Sequence, residues 1–444
     1  MNEYPYWWDT VPAGIDDRRS TIDDRLMVNR QSSTDDRSIV NRQSSIVNHK
    51  WDVAIVGAGY TGLAAARHLA RAGASVVVFE RERVGFGASS RNGGQVIAGM
   101  KLDASTLVDR YGEARARELF DISLDAMTAV ETLIAAEGIA CDYERSGHLQ
   151  AAWKPAHFEA FRDEQALLAR VFAHRVEIVP RDAQRAELGS DLYHGLLVDE
   201  RSGALNPAKY VEGLAMAACR AGVTIVARTA VRHFARASGT WTLATSAGAV
   251  EARDVLVATD GYTDAAAPAL QRRFVPVGSY IIATEPLSDD RALSAIRNRR
   301  MLFDSKNFLY YWRLSSDNRM LFGGRASFAP TTIAKARDWL YAALIRVHPQ
   351  LAGIMVEHAW GGNVAFTFDR LPHIGRTEGI TYALGYCGTG VAMSTYFGQL
   401  AADWIAGGEL PDCWQRTFPG LPLYRETPWF LPAVGWYYAA LDRL

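Results

Sequence analysis

The sequence predicts a mixed α/β fold: a discontinuous domain built on a parallel sheet, with a second, mixed-sheet domain inserted into it. Three observations predict this. A strand–glycine turn–helix–strand unit occupies residues 51–80. Short, doubly apolar runs of the kind that fill buried parallel strands return at 223–227 and 254–261, and again at 379–390, where a strand turns into a last helix. The chain has 444 residues, more than one simple core fills, so two interleaved domains are expected.

Residues 16–48 carry a local repeat: DDRLMVNRQSST at 23–34 returns as DDRSIVNRQSS at 35–45. Units this short and polar bury no face, so residues 1–50 are read as a flexible extension without a catalytic role. Order begins with WDVAIVGAG. Val53–Val56 is a short apolar strand, TGLAAARHLARAG (61–73) an alanine-rich helix ended by Gly73, and SVVVFE (75–80) a second buried strand. Helices are expected over 103–138, 156–172, 207–222 and 331–347, and strands over 148–153, 275–284, 309–314 and 319–323. The helix at 207–222 opens on proline and closes on glycine. Residues 51–100, 205–265 and 359–410 are assigned to the first domain, 101–204 and 266–358 to the second with its flanking helices, and 411–444 to a tail. The aromatic stretch 429–441 in that tail is expected to pack on the body or on a subunit partner.

Composition excludes several classes. A formal net charge of −1 suggests neither nucleic acid nor an anionic membrane as partner. Four cysteines (Cys141, Cys219, Cys387, Cys413) with no CxxC argue against a disulfide framework, a zinc site or a disulfide reductase, and fit a reducing cytoplasm. No apolar run reaches the ~18 residues of a membrane span. The N-terminal MNEYPYWWDT lacks the basic-then-apolar pattern of a secretory signal.

Two glycine-rich turns carry the chemistry. GAGYTG (57–62) places Gly57 at the tight turn off a strand, Gly59 where a diphosphate approaches the backbone, and Gly62 where helix and strand pack closely. The helix N-terminus offers unpaired N–H groups to phosphate. Glu80 ends the next strand, where a carboxylate accepts hydrogen bonds from ribose hydroxyls and repels a 2′-phosphate. This is a Rossmann-type unit. A nicotinamide dinucleotide needs one such loop. The second loop, GFGASSRNGGQ (85–95), adds small residues for close approach, two hydroxyls, a fixed cation and an amide, as a flavin dinucleotide requires.

The stretch VAIVGAGYTGLAAARHLARAGASVVVFERERVGFGASSRNGGQ resembles the N-terminal signature of FAD-dependent amine oxidoreductases of the glycine/D-amino-acid oxidase group, nearest to its γ-glutamylputrescine oxidoreductases. IACDYERSGHLQAA, YYWRLSSDNRMLFGG, TFDRLPHIGR and GYCGTGV follow in family order. The resemblance implies that Gly57, Gly59, Tyr60, Thr61, Gly62, Glu80 and Arg81 hold the ADP half. Gly87, Ala88, Ser89, Arg91, Asn92, Gly93, Gly94 and Gln95 would line the pyrophosphate and flavin. Val231 would bring its backbone to the adenine, and Ala258, Thr259 and Gly261 would pack near the dinucleotide. Leu371, Pro372, Ile374 and Gly375 would touch the flavin edge, and Gly388, Thr389, Gly390 and Val391 would present N–H groups to it at a helix start. Many relatives have histidine where this chain has Thr389, and often asparagine where it has Asp260. Sarcosine-oxidase relatives attach the flavin through a cysteine on the strand matching 309–313; tyrosines there imply non-covalent FAD.

The implied reaction removes a hydride equivalent from the carbon beside nitrogen of a small amine or amino acid, a γ-glutamylputrescine-like amine being favoured, and passes electrons to oxygen or another acceptor. Neither a metal nor a nucleophile is needed. Tyr311 and Arg313 share a strand face with the chemistry to hold a substrate carboxylate; Arg313 serves equally as a structural ion pair. Trp360 is read either as the wall of an amine cage or as core. His373, and less strongly His148, are candidates inside the family segments. Two other readings stay open: a dehydrogenase or D-amino-acid deaminase using a non-oxygen acceptor, and a flavin-binding protein without turnover.

Overall fold

The computed structural model describes residues 1–11, 46–325, 328, 331–421, 424 and 428–443. The repeat over 16–45 lies outside them.

In chain order, β1 (Lys50–Val56), α1 (Tyr60–Arg71) and β2 (Val76–Phe79) form the opening unit, followed by the short β3 (Gln95–Val96) and the long α2 (Ala104–Glu137). Next come β4 (His148–Ala151), α3 (Pro155–Phe172), β5 (Glu177–Pro180), β6 (Gly195–Asp199), β7 (Gly203–Ala204) and α4 (Pro207–Arg220). The chain then returns through β8 (Thr224–Val226) and the meander β9 (Val231–Ala237), β10 (Thr240–Thr245) and β11 (Gly248–Val257). A turn of helix, α5 (Pro268–Gln271), leads into β12 (Phe274–Pro286), α6 (Asp289–Ala295), β13 (Met301–Asp304), β14 (Tyr310–Leu314), β15 (Arg319–Gly324) and α7 (Ile333–Val347). The last stretch holds β16 (Val356–Thr367), β17 (His373–Thr377), β18 (Ile380–Leu384), α8 (Gly390–Ile405) and α9 (Leu431–Arg443).

Two eight-stranded sheets result. The first runs β17-β18-β11-β1-β2-β8, parallel from β18 to β8, with β10 and β9 added antiparallel. Its central strands are short and apolar because both faces are covered: Val53, Ile55, Val76 and Val78 bury against α1, α4 and α8, and Val77, Val255 and Val257 face the other side. α1 sits unusually close to β1, since a Cβ on Gly62 would lie 1.9 Å from the Gly57 carbonyl oxygen. α8 crosses α1 as tightly at Gly398. The second sheet runs β16-β12-β15-β14-β13-β4-β6-β5 and is antiparallel except between β13 and β4. Its far face packs on α7 around Trp312, Phe322 and Leu340. α2 starts at an Asp103 cap, breaks once at Gly112 (φ 75°) and ends at Gly138 (φ 61°).

Two parts of the sequence-based organisation are corrected. Residues 1–11 are not a loose extension. Tyr6–Thr10 form a 3₁₀ turn, Trp7 is 2% exposed, and the Tyr6 hydroxyl donates to Asp317 (2.6 Å). Aromatic burial outweighs the entropy of ordering so few residues. Residues 359–367 lie on β16, which pairs with β12 along the second sheet, so the first sheet resumes only at His373. The tail ends in helix α9, tied down by Asp442, whose carboxylate accepts from the Asn307 and Phe308 amides.

Candidate active site

A cavity of about 1000 Å³ is lined by the ends of the first sheet, the second sheet and α9. One wall is the β1–α1 turn. Gly57 takes φ 106° there, and a Cβ on Gly59 would come within 2.8 Å of the Ser89 hydroxyl. That hydroxyl accepts from the Tyr60 amide at the start of α1 (3.0 Å), so the second loop is docked onto the first. No side chain caps α1 from Gly59, which leaves first-turn amides for a ligand. The Glu80 carboxylate accepts from the Ala58 and Glu82 amides (2.9 and 3.0 Å) and faces the cavity; burial raises its pKa. Arg81 also lines it and pairs with Asp264 (2.9 Å). Thr61, Val231, Ala258 and Thr259 complete this end.

The loop at 85–95 supplies the next wall. Gly87, Ala88, Ser89, Arg91, Asn92, Gly93 and Gln95 all line the cavity. Asn92 shapes the turn: its side chain accepts from the Gly94 amide (2.7 Å) and donates to the Ala88 carbonyl (2.9 Å). Arg91 donates to the Phe86 and Gly361 carbonyls (2.8 and 3.1 Å), tying the loop to β16.

The start of α8 forms the third wall. Gly388, Thr389, Gly390 and Val391 line the cavity. Gly388 has φ 106°, and a Cβ there would point into open space. Thr389 precedes the helix, but its hydroxyl donates to the Tyr386 carbonyl (2.9 Å) rather than capping it, so the positive helix end stays open. Asp260, in the position where relatives often carry asparagine, also lines the cavity; burial raises its pKa, and its carboxylate accepts from the Gly385 amide (2.7 Å).

From the second sheet, Tyr311 reaches the cavity, bonds to Ser279 (2.9 Å) and lies across Gly93 and Gly323. The other three residues expected at the reacting centre do not line it. Arg313 is buried and donates to the Gly93 and Leu205 carbonyls (2.7 and 2.6 Å), which commits its guanidinium to the backbone. Trp360 is 1% exposed and donates to the Arg91 carbonyl (2.9 Å). His373 is held by Asp369 (3.0 Å) and stacks on Phe418 (4.1 Å) outside the cavity. Leu371 and Ile374 sit in the core, Pro372 and Gly375 also fall outside the lining, and a Cβ on Gly375 would strike Tyr382. Gly62, Gly94 and Gly261 act behind the wall by allowing close packing: a Cβ on Gly94 would lie 2.0 Å from the Leu205 carbonyl oxygen. His148 does line the cavity and bonds to Ser202 (2.8 Å). Lys101, Arg325 and Arg370 also line it; Arg370 lies inside the TFDRLPHIGR segment but is given no role there, and the three come from distant segments with no shared spacing.

The residues present fit a dinucleotide flavin. Two glycine turns, two helix starts with no cap from the residue before them, a buried acid at the end of β2 and the open space beside Gly388 converge on one cavity. They define a flavin-adenine-dinucleotide-binding oxidoreductase. The chain belongs to the DAO family of FAD dependent oxidoreductases, whose family model matches residues 52–404. It is 34% identical over 400 residues to gamma-glutamylputrescine oxidoreductase of Escherichia coli (strain K12), covering 88% of this chain and 93% of that protein. It is 35% identical over 364 residues to "Probable oxidoreductase OrdL" of Haemophilus influenzae, covering 81% and 83%. Glycine oxidase from Geobacillus kaustophilus shares the fold, with TM-score 0.69, 22% identity, and coverage of 86% of this chain and 99% of that one. Among the described residues, no helix is long and apolar enough to cross a membrane and no acid–histidine–cysteine group is spaced to hold a metal.

Proposed function

We propose that this chain oxidises the C–N bond of an amine or amino acid, with a γ-glutamylputrescine-like amine favoured, and that it holds its FAD without a covalent bond. The observation that carries the reading is the single cavity in which the open α8 N-terminus and Gly388 share a space with Tyr311 and Ser279 from the second sheet. The 34% identity to the Escherichia coli enzyme supports the substrate class.

FAD, when bound, supplies the hydride acceptor for the carbon beside nitrogen. The residues of the chain do the rest. Val275, Val277, Leu309 and Phe366 give the cavity an apolar wall that excludes water and favours the neutral amine, the form that can release a hydride. Tyr311, fixed by Ser279, orients the substrate; burial raises its pKa, so it stays a neutral hydroxyl. The α8 N-terminus places partial positive charge where negative charge develops. Loss of the hydride and of one N–H proton leaves an imine, which water converts to carbonyl and amine or ammonia.

Anaerobic addition of amines to the FAD-loaded protein, with the visible spectrum followed, tests the reading. Bleaching by γ-glutamylputrescine is expected, and an absence of bleaching with every amine and amino acid tried would sink it. Reoxidation by air against an artificial acceptor then separates oxidase from dehydrogenase.

A further inference from the structure

Lys101, Arg325 and Arg370 face the cavity as three cations with no ion-pair partner among the described residues. Lys101 precedes α2 and is open to the cavity interior although protein surrounds it; burial, then Arg325 and Arg370, push its ammonium down to about 8. Arg325 follows β15, lies over the Phe366 ring (4.3 Å), and is pushed down to about 10 by burial. Arg370 follows β16 in a left-handed turn (φ 62°), and its neutral partner is the Tyr438 hydroxyl on α9 (3.0 Å).

The nearby acids are engaged elsewhere. Asp103 caps α2 through the Thr106 amide (2.7 Å), and Asp369 holds His373 and Arg416 (3.0 and 2.7 Å). Glu164 accepts from the Ala104 amide (3.2 Å), and Asp304 pairs with Lys306 (3.1 Å). Arg325 and Arg370 both repel the Lys101 charge, and an anion that joins the three cations relieves that repulsion. The dinucleotide phosphates belong at the Gly57–Gly59 turn and the α1 start. Arg325 and Arg370 instead extend from strands of the second sheet, beside α9.

We propose that Lys101, Arg325 and Arg370 form a subsite for a carboxylate carried by the substrate, so that the preferred amine bears an anionic group remote from the oxidised carbon. This rests on the amine-oxidoreductase reading above. A guanidinium fork suits the planar carboxylate, and the ammonium adds a point charge.

The test uses FAD-loaded protein and glutarate as probe, with binding read from the visible flavin spectrum. Wild type is expected to bind glutarate, and Arg325→Met and Arg370→Met to bind it at least about ten-fold more weakly. No binding by wild type, or equal binding by wild type and both variants, overturns the subsite. FAD dissociation constants are measured alongside: a rise in the variants with glutarate affinity unchanged assigns the cations to the cofactor and also overturns it. In turnover, the preference for γ-glutamylputrescine over putrescine is expected to collapse in Arg325→Met through KM, and a preserved preference counts against the proposal. If no amine bleaches wild type, the glutarate result still stands, so the two failures are told apart.

Discussion

Gly388→Ala separates two things a glycine can do. Gly388 and Gly407 flank α8 at its two ends, with φ of 106° and 100°, and a Cβ at either meets nothing within 4 Å. Only the space around Gly388 is the cavity; Gly407 is on the exposed surface. Alanine at either position is strained by roughly 1–3 kcal/mol, because that φ suits only glycine. Such strain is present with and without ligand, so it lowers the melting temperature and cancels from the FAD dissociation constant.

A methyl at 388 also takes up room beside the open helix start. Loss of one hydrogen bond to a charged group there costs about 1.5–3 kcal/mol. That is a rise of roughly 10- to 100-fold in the FAD dissociation constant. Gly407→Ala is expected to melt earlier and to hold FAD as wild type does. Titration of apoprotein with FAD, followed by quenching of flavin fluorescence, measures both. Wild-type affinity in Gly388→Ala, or equal weakening in Gly407→Ala, would refute the assignment of the α8 start to the cofactor.

Trp7→Ala removes a side chain that is 2% exposed and a donor to the Asn92 carbonyl (3.0 Å), so a loss of about 3–5 kcal/mol is expected, with faster FAD release. Unchanged melting would show that residues 1–11 do not brace the loop. His348 is enclosed, and burial lowers its pKa from 6.5 to about 4. The unfolded chain therefore binds the extra proton first. His348 contributes stability that is complete above about pH 6.5 and lost as pH falls toward 4, up to roughly 3 kcal/mol. Denaturant melts of wild type and His348→Gln across that window should converge at low pH; parallel curves would contradict it. Acid denaturation followed by filtration should carry the yellow colour into the filtrate, and colour retained on the protein would mean a covalent flavin.

The glycine turns were legible because their chemistry is local. Gly57, Gly59 and Gly62 form one six-residue pattern between an apolar strand and an alanine-rich helix, and the buried parallel strands announce themselves as unbroken apolar runs. The substrate wall was not legible, because its side chains answer to partners far along the chain. Arg313 meets Gly93 across 220 residues and Trp360 meets Arg91 across 269. β16 was missed for a different reason: Gly361 and Gly362 interrupt its alternation, since Tyr280 covers the first and Arg91 the second. Lys101, Arg325 and Arg370 share no spacing, so only folding brings them to one cavity.

The misplaced expectations for Arg313 and Trp360 share one physical cause. Trp360 donates to the carbonyl of Arg91, Trp7 to that of Asn92, Arg313 to that of Gly93, and the Leu205 amide to that of Gly94 (2.9, 3.0, 2.7 and 2.9 Å). Four consecutive carbonyls are thus satisfied by donors from the N-terminus, two strands of the second sheet and the approach to α4. A glycine-rich loop has too many backbone states to hold one shape by itself. Here each carbonyl direction is set by a separate, largely buried donor, and releasing one leaves an acceptor unpaired in the interior. Arg313 and Trp360, which suggest substrate chemistry in the sequence, and Trp7, which does not, therefore all act on the reaction through the shape of the loop beside the cofactor. Substitution of any of them should read first as weakened FAD binding, before it reads as altered substrate choice.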